Sequence, residues 1–118
     1  MRIIKLNIVL PADITQGIAD TVSAEIWDAS LSDVPAVLLS STQLKQVALC
    51  PNGELKAELT APDDVPQQTL IARVHVSMDG SRQIKPGDFF STRFTGIPHK
   101  SGHEELSVPV ERIRDALI

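Results

Sequence analysis

The residues with chemistry to offer fall into a few groups. His99-Lys100-Ser101-Gly102-His103 sets two histidines four apart, with Glu104 and Glu105 next. On a helix that spacing would suit zinc, or a hydrolase using His99 or His103. Pro98 and Gly102 argue against a helix and no third ligand is evident, so a polar loop is expected. Asp79-Gly80-Ser81-Arg82 through Gly87-Asp88 is an acidic loop with Asp79 and Asp88 as candidate metal ligands. Calcium seeks about six to eight oxygens. Arg82 and Lys85 supply positive charge instead, and EF-hand spacing is absent. A calcium or small-ligand module on Asp79 and Asp88 is thus the alternative reading, and a solvated turn the main one.

Cys50 precedes a turn and has no CxxC companion. A nucleophilic thiol needs a base beside it, and His75 would meet it only through the fold, so a small structural residue is expected. Trp27 is the stronger binding candidate. Strand phase groups it with Ser23 and Glu25, opposite Val22, Ala24 and Ile26. A large aromatic on a polar face can anchor a partner, unless a loop covers it. Ser30 and Asp33 lie just beyond it and form a Ser-x-x-Asp capping pattern. They are the further candidate binding positions, with hydrogen bonding to local backbone as the plainer expectation. No G-x-S-x-G, HExxH, P-loop or dinucleotide fingerprint occurs. The chain is therefore read as no enzyme, with no catalytic residue to name and no cofactor.

The elements that must position these groups are strands. Ile4, Leu6, Ile8 and Leu10 alternate with Lys5, Asn7 and Val9 until Pro11. Period-2 alternation marks a half-buried strand. Ala12 to Asp20 reads as a loop, and a second strand follows from Val22. Val37 to Val47 is apolar and then mixed, with a bulge expected at Ser40-Ser41. Pro51-Asn52-Gly53 is a tight turn in which Asn or Gly supplies a positive φ. Leu55, Ala57 and Leu59 alternate with charged residues, and Leu70, Ala72, Val74 and Val76 form the clearest strand. Asp88 to Thr95 reads as a short strand. Leu106, Val108 and Val110 alternate around Pro109, which cannot donate to a ladder and so predicts an edge or a bulge. About seven short strands without a helical period predict one antiparallel β-sandwich domain over residues 1–118. Leu6, Ile8, Val22, Ala24, Ile26, Leu55, Leu59, Ala72, Val74, Val76, Val108 and Val110 should share its core.

Composition agrees. The chain has 118 residues, 42% of them hydrophobic, enough for one domain with its own core. Aromatic residues are 3%, tyrosine is absent and the net charge is −4. A phosphate-binding surface usually shows basic excess and stacking aromatics, so nucleic acid is not an expected partner. The longest hydrophobic run, Val34 to Leu39, contains Pro35 and is far too short to span a membrane. One cysteine cannot form an internal disulfide. Lys5 and Asn7 interrupt the apolar N-terminus and no cysteine lies near residue 20, so neither a signal peptide nor a lipid site is read. The chain as written is expected to be soluble and cytoplasmic, or an envelope protein if a leader was removed.

Val22-Ser23-Ala24-Glu25-Ile26-Trp27-Asp28-Ala29-Ser30-Leu31-Ser32-Asp33-Val34-Pro35-Ala36 resembles a strand-and-turn motif of the YbaY/YscW-like family. Val9-Leu10-Pro11-Ala12 looks like that family's preceding Leu-Pro-Pro segment. Ile71 to Met78, Asp79-Gly80 and Lys85-Pro86-Gly87-Asp88-Phe89-Phe90-Ser91-Thr92 match a later part, so the resemblance covers most of residues 3–111. It implies an immunoglobulin-like β-sandwich without enzyme activity. Family members include envelope lipoproteins and the pilotins that chaperone type III secretion secretins, so a protein partner is implied. The chain departs from the lipoproteins in lacking a lipidated cysteine, and Ser81 stands where the family has a second acidic residue. A transthyretin-like hydrolase has similar length, but its Tyr-Arg-Gly-Ser motif is absent.

Overall fold

The computed structural model describes residues 2–14, 17–30, 35–61, 69–80, 83, 87–91, 95–97 and 103–113. Its strands are β1 (Arg2–Val9), β2 (Gly17–Asp28), β3 (Val37–Leu49), β4 (Glu54–Ala61), β5 (Leu70–Ser77), β6 (Phe89–Phe90), β7 (Thr95–Gly96), β8 (His103–Pro109) and β9 (Glu111–Arg112). They form two sheets. The smaller has the order β4-β1-β8, the larger β3-β2-β5-β6-β9 with β7 also paired to β5. The described residues are thus all-β, in two layers, as the alternation predicts.

The apolar phase of each strand faces the space between the layers. Ile4, Leu6 and Ile8 of β1 meet Val22, Ala24 and Ile26 of β2 and Ala72, Val74 and Val76 of β5 in one buried cluster. Of the twelve residues expected in the core, all are buried except Leu55, which is partly buried and packs on its edge. Burying the leucine, isoleucine and valine side chains among them contributes about 1.5–3 kcal/mol each, before chain entropy is counted.

Four details depart from the sequence reading. All ladders are antiparallel except β1 with β8, which run parallel from Ile3↔His103 to Val9↔Pro109. A sequence does not announce the sense of a ladder joining its two ends. Strand β2 begins at Gly17 rather than Val22, because Ile18 and Ala19 pair with Ala48 and Val47 of β3. Long-range pairing there outweighs the local turn signal of Gly17. The bulge lies one residue earlier than expected: Ile26 faces Ser40 but Trp27 faces Leu38, leaving Leu39 as the extra residue. Of the short strand expected from Asp88 to Thr95, the described residues Phe89–Phe90 and Thr95–Gly96 each pair with β5, and Ser91 is not in a strand.

Other local expectations are met. Pro109 sits at the end of β8, an edge of the smaller sheet. Beyond it the chain changes layer: the Val110 amide donates to the Val9 carbonyl at 3.1 Å, and β9 pairs in the other sheet. The turn after β3 carries Asn52 at φ 57°, the positive φ read for it. Gly53 donates to the Cys50 carbonyl at 3.0 Å and its own carbonyl accepts from the Leu10 amide at 2.8 Å. A Cβ on Gly53 would meet Cys50 Sγ at 2.6 Å and the Cys50 carbonyl oxygen at 3.1 Å, so a larger residue there would make its neighbours shift.

Candidate functional site

The outer face of the larger sheet carries the side chains that strand phase turns away from the core. On β2 these are Ser23, Glu25 and Trp27, and Trp27 is half-buried rather than covered. Register sets Leu38 of β3 on one side of it and Ile71 of β5 on the other. Its ring is held by two polar neighbours. The indole Nε1 donates to Glu25 Oε1 at 3.2 Å, and the Arg73 guanidinium lies 5.0 Å from the ring centre. A cation over an indole face contributes about 0.5–1 kcal/mol at an exposed site.

The bulge at Leu39 breaks the alternation beside this ring. Val37, Leu38 and Leu39 are consequently all exposed, at 57, 44 and 37%. They begin β3, which closes the larger sheet on that side; Lys45 is its single charged residue in Val37–Leu49. Edge strands normally carry charges or proline to discourage pairing. Lys45 reaches back over the sheet, its Nζ donating to Thr21 Oγ1 at 3.0 Å. Between β3 and β6 the face sinks into a hollow of about 430 Å³ whose wall includes Leu38, Arg73, His75 and Phe90. The smaller sheet's outer face is different: Lys5, Lys56, Glu58 and Glu105 line it, and Asn7 Nδ2 donates to Glu105 Oε1 at 2.8 Å. That is a solvated, charged surface.

The remaining candidates are placed as follows. Ser30 forms an Asx turn: its amide donates to Asp28 Oδ1 at 2.9 Å and its hydroxyl donates to the same oxygen. The Ser30 hydroxyl also accepts from the Thr69 amide at 2.8 Å, and the Ala29 amide donates to the Thr69 carbonyl at 2.8 Å. Ser30 thus ties the end of β2 to the start of β5. Asp33 lies outside the described residues, as do His99, Ser81, Arg82 and Lys85.

Asp88 is buried at 3% exposure, with Oδ2 against His75 Nε2 at 2.9 Å and Oδ1 accepting from the Met78 amide at 3.1 Å. The exposed Asp79 accepts from Ser77 Oγ at 3.3 Å. One Asp88 oxygen thus faces β5 and the other the residue that follows it, a role sequence spacing alone did not suggest. His75 in turn stands edge-on to Phe90, 6.3 Å between ring centres. His103 lies in β8, a strand rather than a helix. Cys50 is an exposed free thiol whose sulfur packs beside Gly53. Among the described residues no three His, Cys, Asp or Glu converge as a metal site would need, and no helix is long and apolar enough to cross a membrane.

Fold and surface together define an all-β two-layer domain with one charged face and one partly apolar face. Among solved structures the fold is similar to that of an alternative pilotin from the type II secretion system of Vibrio cholerae. The TM-score is 0.65 at 14% identity, over 95% of this chain and 98% of that one. No protein-family model matches the chain. No curated protein matches it in sequence.

Proposed function

We propose that this chain is a non-enzymatic, protein-binding sandwich of the pilotin type, related to the YbaY/YscW-like group, that serves an envelope or secretion assembly. The observation that carries the reading is the patch of Trp27 and Val37–Leu39 at a nearly uncharged sheet edge. Exposed apolar residues scattered singly are ordinary, whereas an aromatic set beside exposed apolar residues on a strand edge resembles the anatomy of an interface. The fold likeness to a pilotin supports it. The alternative, a calcium or small-ligand module on Asp79 and Asp88, has no such support, since Asp88 is committed to His75 and Met78.

The test is quantitative affinity capture from the source cells, with partner identification by mass spectrometry. Wild type should retain a discrete envelope or secretion component. Leu38→Asp should lose most of it while keeping its melting temperature within a few degrees. Capture that is indifferent to Leu38→Asp, or that yields no discrete component, would contradict the proposal.

A further inference from the structure

We infer that the hollow beside Trp27 takes an acidic, extended peptide segment of a partner protein, with Arg73 as its carboxylate anchor. The inference rests on the protein-binding reading above and adds the chemistry of what is bound. Its first support is Arg73. Register places Glu25 directly opposite Arg73, yet the guanidinium lies over the Trp27 ring instead. Glu25 is occupied by the indole N–H at 3.2 Å. Among the described residues no carboxylate lies within ion-pairing distance of Arg73. Stacking engages only the flat face of a guanidinium, and its N–H edge stays free to grip a carboxylate with two parallel hydrogen bonds.

The second support is charge. The whole chain carries −4, but among the described residues that line the hollow Lys45 and Arg73 stand against Glu25. His75 is held by Asp88 and Lys45 lies near Asp20 through Thr21, so Arg73 is the cation left to a ligand. The third support is shape. A hollow of about 430 Å³ falls within the usual range for ligand sites of roughly 300–1,000 Å³. Apolar surface stands next to the cation, on Leu38 and Trp27. A segment alternating acidic and bulky apolar side chains satisfies both at once, and electrostatic complementarity of this kind sets specificity more than raw affinity.

Trp27 is the chain's one tryptophan, so its fluorescence reports on this site alone. The probes are a short blocked peptide of alternating leucine and glutamate, and its counterpart with glutamine for glutamate. The glutamate peptide should perturb the emission saturably and bind at least tenfold tighter than the glutamine one. Arg73→Gln, checked for folding by thermal melting, should bind the two alike. Glu25→Gln keeps an acceptor for the indole while removing the opposing charge, and should tighten the glutamate peptide. Equal binding of the two peptides by wild type would overturn the inference. So would no response at millimolar peptide, a preference that survives Arg73→Gln, or a Glu25→Gln variant that binds no tighter. Such a failure beside Leu38-dependent capture of a partner would leave the protein-binding reading standing; loss of the capture beside a glutamate preference would do the reverse.

Discussion

Single side chains here do their work through hydrogen bonds that cross long stretches of chain. Ser30 shows this best. Its hydroxyl accepts the Thr69 amide, 39 residues away, while its own amide closes the Asx turn on Asp28. Ser30→Ala leaves the Thr69 amide without that acceptor. A lost partner costs about 1–3 kcal/mol when buried, and this bond is exposed, so roughly 1 kcal/mol is expected. Melting should fall by about 3–5 °C, the range between smaller and larger domains. An unchanged melting temperature would show that water replaces the hydroxyl at no cost. The Ser-x-x-Asp pattern singled out Ser30 but pointed to local backbone; Thr69 was invisible because nothing in a sequence marks a cross-strand donor. Asp88 is the parallel case. Read from spacing it was a candidate ligand, and only the return of the chain past His75 and Met78 shows what occupies its oxygens.

At the scale of the element, alternation was legible and its interruptions were not. The apolar phases of β1, β2, β4 and β5 could be read residue by residue, since period 2 follows from the pleat itself. The position of the bulge depends on how β3 slides against β2, which two serines do not reveal; Leu39 takes the extra place and exposes its neighbours. Gly17 looked like a loop residue because glycine's local signal ignores its partner Leu49 in a later strand. The Pro51-Asn52-Gly53 turn was legible, because its chemistry is local. Asn52 holds φ 57°, a conformation that costs most residues roughly 1–2 kcal/mol. Asn52→Ala should therefore destabilise by about 1 kcal/mol in urea unfolding, whereas Asn52→Gly should come within a few tenths of wild type. Equal losses in both variants would mean that the asparagine side chain, not the backbone angle, holds the turn.

For the whole molecule, composition and pattern set the class, all-β in two layers, and left the arrangement of those layers open. The parallel β1–β8 ladder joins the chain's beginning to its end, and non-local pairings of that kind leave no trace in a local window. The same holds for the surface. Trp27 was legible as an aromatic out of phase with the core, but its setting beside Leu38 and Arg73 is a product of register. The proposed function gives this molecule one binding face, on its larger sheet, and one solvated face, on its smaller. It is tested most directly by placing a photo-crosslinking amino acid at Leu38 in one variant and at Lys56 in another, and irradiating the source cells. A discrete adduct with a secretion or envelope protein is expected from position 38 and none from position 56. Adducts from position 56 alone, or equally from both, would contradict it.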